Sequence, residues 1–233
     1  MFASGVRRLG ARPRYPVNMP DAPDRLPLRE RKKQRTRQTL VDTALELFAD
    51  RGFDSVTLDE LCDTVDVSKR TFFRNFSSKE DVAMAPLREL WAAFIADLSL
   101  REPGTGPLLR TLQAGLLAAL DQMPTDGWAD RAARCHHLAQ STPSMAANNL
   151  QFCDRTIRDA LEILRDRFAI DSRTDRRPRL ALDIIVAAFH CALDTWSAGP
   201  ESPDTATLTL HVRDAFAAIP AALTMAPPAH PKR

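Results

Sequence analysis

TLDELCDTVDVSKRTFFRNF, Thr57 to Phe76, decides the fold. The stretch opens on a capping box, in which the Thr57 hydroxyl and the Glu60 carboxylate satisfy free amides at the start of a helix. The buried face of that helix is Leu58, Leu61, Cys62 and Val65, and it is barely two turns long. Ser68 is a good N-cap for the helix that follows. The turn between them needs a residue with positive φ, and Asp66, which tolerates that conformation better than most types, occupies it. Two short helices across a tight turn form a helix-turn-helix. On the second helix Phe72 and Phe76 lie four residues apart and anchor one face, leaving Lys69, Arg70, Phe73 and Arg74 elsewhere. Such a helix can enter the major groove by its N-terminal turn, where Arg or Lys pairs with guanine and apolar groups meet the thymine methyl.

Working outward, Arg29 to Asp50 places Leu40, Val41, Ala44, Leu47 and Phe48 at helical spacing and ends at Gly52. SSKE, Ser77 to Glu80, repeats the capping-box pattern and predicts a fourth helix running on through Trp91 and Phe94. Residues 1–26 carry Pro13, Pro16, Pro20 and Pro23 with little apolar periodicity, and read as a disordered basic arm. Met19 is an alternative start. Residues 1–79 hold 16 Lys and Arg against 11 Asp and Glu, whereas the remainder holds 16 against 19, so the overall net charge of +2 hides a basic N-terminal third. A segregated positive field of this kind suits a polyanion such as nucleic acid.

The rest of the chain reads as helices punctuated by proline and glycine. Leu87, Trp91, Phe94, Ile95 and Leu98 share a face; EPGTGP breaks it; Leu108, Leu112, Leu116 and Leu120 form the next. MPTDG and STPS bound a helix with Trp128 and Leu138, and a longer one follows with Phe152, Ile157, Leu161 and Leu164. Arg179 to Trp196 is apolar nearly all round, the mark of a helix buried on more than one side. Thr205 to Leu223 has one apolar face, with Leu208, Val212, Phe216 and Ile219. Only eight glycines and one tyrosine among 233 residues favour helix over sheet, and the expected fold class is all-α: a three-helix helix-turn-helix head, then a larger helical ligand-binding and dimerisation domain. The expected divisions are a 1–26 arm, a 27–78 DNA-binding domain, a 79–224 regulatory domain and a disordered 225–233 tail.

From Arg35 to Val82 the sequence resembles the TetR family of bacterial repressors, through RTRQTLVDTALELFADRGFDSVTLDEL and VSKRTFFRNFSSKEDV. The resemblance implies base or phosphate contacts from Ser68, Lys69, Arg70, Thr71 and Phe73, and phosphate contacts from Thr57, Asn75 and Lys79. Phe73 stands where the family often has tyrosine and Asn75 where it often has histidine, which removes one phosphate hydrogen bond and puts a second in doubt. The resemblance also implies a homodimer through the last two helices, for which Ile185, Phe189, Leu193, Val212 and Phe216 are the candidates, and an inverted-repeat operator on double-stranded DNA. HLAQSTPSMAANNLQ and the leader LRERKKQRTRQ are similar to the subgroup of mycofactocin regulators, for which fatty acyl-CoA is the implied effector. Trp91, Phe94, Leu116, Trp128, His137 and Phe152 are the candidate lining of an apolar effector pocket.

Cys62, Cys135, Cys153 and Cys191 lie far apart in apolar helical contexts, which favours buried thiols over a disulfide framework. Cys135-His136-His137 and His190-Cys191 place neighbours about 100° apart on a helix and offer no i, i+4 ligand pair, so no metal site is expected. No catalytic constellation and no cofactor are expected. The opening residues have no apolar run of signal-peptide length, and a cytoplasmic protein without membrane contact is expected. Two other classes compete with the ligand-responsive repressor: a constitutive DNA-binding architectural protein, and a helical lipid carrier whose basic head meets membranes. A membrane-binding head needs apolar side chains outward, and Phe73 stands there among charges.

Overall fold

The computed structural model describes residues 27–199 and 202–226, and among them it is all-α. The readings made for residues 1–26 and for 227–233 of the tail lie outside the described residues. Three helices form the head: α1 (Leu28–Arg51), α2 (Leu58–Thr64) and α3 (Lys69–Asn75). Seven more follow: α4 (Lys79–Ala83), α5 (Ala85–Leu100), α6 (Leu108–Asp121), α7 (Trp128–Ser141), α8 (Pro143–Phe168), α9 (Arg177–Ser197) and α10 (Thr205–Thr224).

Local chemistry sets most of these ends. Gly52, at φ 83°, closes α1 with its amide on the Phe48 carbonyl, a conformation that favours glycine. Asp204 caps α10 through the Thr207 amide. The cap expected at Ser77 and Glu80 sits one residue later: Ser78 accepts from the Asp81 amide, and the Asp81 carboxylate reaches back to the Ser77 amide and hydroxyl. The predicted continuous fourth helix is two, because the chain breaks at Met84 and restarts with Pro86 in the first turn of α5. Proline fits there, since a first-turn amide has no helical partner to lose.

α1 packs against α2, α4 and α7, which seats the head on the bundle, and α5 lies against α6, α7 and α8. α9 is long and apolar enough to cross a bilayer by length and composition, with a mean hydropathy of 1.4. In the protein it is a bundle helix, packed among α6, α7, α8 and α10. Its apolar character all round has two different causes. Leu182, Ile185, Phe189, Leu193 and Trp196 face the core, whereas Leu180, Ala187 and Cys191 are exposed on the other side. The expectation of four buried thiols therefore fails: Cys62 and Cys135 are buried, Cys153 is half-buried and Cys191 faces outward.

Candidate nucleic-acid interface

The head is built to hold α3 outward. Thr57 Oγ1 accepts from the Glu60 amide at 3.2 Å, and Glu60 Oε2 accepts from the Thr57 amide at 2.8 Å, closing the capping box of α2. Glu60 Oε1 also accepts from Arg51 at 2.9 Å, which ties α2 to the end of α1. The Thr57 amide, with Arg51 behind it, draws the Glu60 carboxyl from its ordinary 4.5 to about 2. Because folding lowers this pKa, the capping box contributes its full stability above about pH 4.5 and loses it as pH falls toward about 2. Denaturant titrations of the wild type between these limits should show that acid-dependent loss, and Glu60→Gln should flatten it; an unchanged pH slope in the variant would contradict the assignment.

Past Val65 the chain turns through Asp66 at φ 54°, and the Val67 amide donates to the Cys62 carbonyl at 2.9 Å. Ser68 then caps α3 by accepting from the Thr71 amide at 3.2 Å. Phe72 is wholly buried and Phe76 nearly so, their ring centroids 5.8 Å apart. Phe73 is 56% exposed, held edge-on to Phe72 at 5.5 Å. Arg70 and Arg74 are exposed and, among the described residues, form no ion pair. Together with Ser68 and Phe73 they make up the outer surface of α3.

Four of the sequence-derived contact residues are otherwise engaged. Thr57 spends its hydroxyl within the capping box. Lys69 pairs with Asp59 at 2.6 Å, which raises its pKa and offsets its charge. Asn75 Nδ2 donates to the Thr71 carbonyl at 2.8 Å. Lys79 is the clearest correction, since its ammonium donates to the carbonyls of Phe53 at 2.7 Å and Val56 at 2.5 Å, and sits 4.5 Å from the Phe53 ring centroid. It straps the loop between α1 and α2 to the start of α4 instead of pointing free to a phosphate.

Arg37 escaped the sequence reading, and Arg74 was placed only off the anchored face of α3. Arg37 lies 4.3 Å from the centre of the Phe76 ring and donates to the Asn75 carbonyl at 2.9 Å, locking the end of α3 to α1. Arg74 borders a mostly basic concavity of about 780 Å3 with Arg29, Lys32 and Lys33 from the first turns of α1, where Glu30 also lines it and pairs with Lys33 at 3.3 Å. The basic leader and the four-residue step from Arg70 to Arg74 were the available signals.

The effector-pocket candidates separate into a buried aromatic group and two outlying residues. Trp91, Phe94, Leu116 and Trp128 are buried and interlocked, with Trp91 5.5 Å from Phe94 and 5.4 Å from Phe189, both edge-to-face. Trp128 donates its indole N–H to the Pro86 carbonyl at 3.1 Å. Phe152 lies under the Arg88 guanidinium at 5.0 Å. His137 borders a cleft between α1 and α7. Aromatic rings at helical spacing pack against one another in a core as readily as they line a pocket.

The dimer candidates are core residues of the single chain. Ile185, Phe189, Leu193 and Val212 are fully buried and Phe216 is 8% exposed, all within the single chain. The exposed apolar side chains of this helix pair include Leu180, 57% exposed, with Ala187 and Cys191 on the same outer side of α9, and on α10 Leu210, 61% exposed, and Leu223, 73% exposed.

A continuous polar path joins the head to the bundle. Ser77 donates to Asp81, Asp81 accepts from Arg88 at 2.5 Å, and Arg88 also donates to Asn148 on α8. The remaining Arg88 nitrogen, Nε, is buried without a partner.

Residues 40–85 match the pattern of "Bacterial regulatory proteins, tetR family". The chain is 32% identical over 174 residues to the HTH-type transcriptional regulator TcmR of Streptomyces glaucescens, spanning 72% of this chain and 76% of that protein. It is 38% identical over 65 residues to the HTH-type transcriptional activator FasR of Mycolicibacterium smegmatis, a match confined to 28% of this chain and 27% of the other. Among solved structures it is similar to SmeT, the repressor of the Stenotrophomonas maltophilia multidrug efflux pump SmeDEF, with a TM-score of 0.48 and 19% identity over 86% of this chain and 98% of that one.

Proposed function

The chain belongs to the TetR family of transcriptional regulators, and on that premise we propose that it is a cytoplasmic repressor that binds an inverted-repeat operator as a homodimer and releases it when a small apolar effector binds. The observation that carries the DNA reading is the outer surface of α3, where Arg70 and Phe73 stand exposed on a helix whose other face is anchored by Phe72. Arg70 would take a guanine edge, Phe73 a thymine methyl, and the Ser68 and Thr71 hydroxyls the backbone or base edges beside them. The basic concavity of Arg29, Lys32, Lys33 and Arg74 would follow the phosphates and supply the salt-dependent share of binding.

Two heads on one dimer would stand about one DNA turn, roughly 34–36 Å, or a multiple apart, which is why an inverted repeat is proposed. Release by an effector needs a ligand that binds one head arrangement better than the other, since an indifferent ligand shifts nothing. The Ser77–Asp81–Arg88–Asn148 path is the proposed conduit, because it begins two residues after the recognition helix ends and finishes on the longest bundle helix. Acyl-CoA remains the proposed effector class. The close packing of Trp91 against Phe94 and Phe189 supports the competing reading of a constitutive DNA-binding protein.

The test is selection of bound sequences from random DNA, with and without added cellular metabolites. The wild type should select an inverted repeat. Arg70→Ala should lose about 1–3 kcal/mol of operator affinity and relax preference at one symmetric base position. Unchanged affinity and base preference in Arg70→Ala would remove α3 from the groove. A repeat selected equally with and without every metabolite fraction would favour the constitutive reading.

A further inference from the structure

A charge boundary runs between the two short helices of the head. α2, LDELCDT, holds Asp59, Glu60 and Asp63 and no basic residue, whereas α3, KRTFFRN, holds Lys69, Arg70 and Arg74 and no acid. Glu60 is already committed to the Thr57 cap and to Arg51. Asp59 instead reaches across the turn: its Oδ1 lies 2.6 Å from the Lys69 ammonium, and Asp63 adds to the negative field there. Arg70 and Arg74 form no ion pair among the described residues. The cations of α3 therefore do not present equal charges to a polyanion. Both guanidiniums are free, and the ammonium at the entry of the helix is held by an acid.

The Asp59 and Lys69 side chains are 54–65% exposed, so the pair is open to water. An exposed pair of this kind stabilises a fold little. Its position gives it a different consequence. Lys69 is the first residue of α3, at the end by which a recognition helix meets DNA. An ammonium that neutralises a phosphate releases a counterion and adds affinity that is independent of sequence. A lysine shared with a carboxylate gives up part of that gain, because the phosphate must displace an anion already in place and then remain beside it.

We propose that Asp59 is a positioning residue that withholds Lys69 from DNA phosphates, so that α3 holds DNA chiefly through Arg70 and Arg74 and the sequence-independent grip of the head is kept low. The proposal rests on the reading of α3 as the helix that contacts DNA. Asp59 also has a structural use, since an acid in the first turn of α2 complements the helix dipole. That use bears on stability and not on the salt dependence of DNA binding, which is where the two roles part.

Fluorescence anisotropy of the full chain on random-sequence duplex DNA, taken across a salt series, tests the proposal. Asp59→Asn should bind about two- to fivefold more tightly per head at low salt, the strength of competition that an exposed ion pair can offer. The slope of log affinity against log salt should steepen by about 0.9 per head, the signature of one further phosphate contact. Affinity for the selected inverted repeat should rise in the same proportion, because a phosphate contact carries no sequence information. Adding Lys69→Ala to Asp59→Asn should remove both gains, and Asp59→Ser, a second neutral replacement, should match Asp59→Asn, with circular dichroism showing the variants folded. An unchanged slope in both neutral replacements would overturn the proposal, as would a gain that survives Lys69→Ala, which would assign the effect to repulsion between Asp59 and DNA itself. Arg70→Ala on the same duplexes separates this claim from the one beneath it. If Arg70→Ala weakens binding while the Asp59 replacements change nothing, the role of Asp59 fails alone; if Arg70→Ala is also without effect, α3 is not the contacting helix and both fail.

Discussion

Ala187→Glu combined with Leu210→Glu is expected to yield a folded monomer whose operator affinity is about 10²- to 10⁴-fold weaker than that of the wild type, the advantage lost when the second half-site is no longer held at high effective concentration. Both residues are exposed, on the outer sides of α9 and α10, so the substitutions place no charge in the core of the chain. They would place charges in an apolar face that a second copy must desolvate, and a buried unpaired carboxylate is costly. Phe216→Glu makes the control. It is 8% exposed inside the α6–α9–α10 packing, and its charge should unfold the bundle before any question of assembly arises. Light scattering at micromolar concentration, paired with circular dichroism, separates the outcomes. A double variant that stays dimeric would move the interface away from α9 and α10.

Phe72→Ala is the second large effect. Phe72 is wholly buried in the head, touching Phe73 edge-on at 5.5 Å and Phe76 at 5.8 Å. Removing a core phenylalanine ring costs about 3–5 kcal/mol, a large part of the 5–15 kcal/mol that stabilises a typical domain. α2 and α3 have seven residues each, too short to persist without that anchor. The loss should therefore be local. Hydrogen exchange is expected to show α2 and α3 losing protection while α9 keeps it, together with loss of operator binding. Equal protection of α3 in variant and wild type would mean that the helix is held by something other than its aromatic face. The alternative anchor, the Arg37 clamp on Asn75, would then be the next residue to remove.

The sequence alone determined what depends on neighbours within a turn or two of chain. The caps at Thr57 and Ser68, the positive φ of Asp66, the glycine that ends α1 and the two faces of α3 all stand in the structure where local spacing put them, because each is a contact between residues three or four apart or a single backbone conformation. The tertiary structure decided everything that spans long separations. Lys79 reads as a free basic side chain until the Phe53 and Val56 carbonyls, more than twenty residues earlier, are brought beneath it. α9 shows apolar residues on every side, and only its packing against α6, α7, α8 and α10 tells Ile185 and Phe189, which fill this chain's core, from Leu180 and Ala187, which are left outside. Trp91, Phe94 and Trp128 have the spacing of a pocket lining and of a core alike. A periodic pattern states which side of a helix avoids water but carries no information on whether the space beyond it is filled by another side chain or left open, and that is fixed only when the helices close on one another.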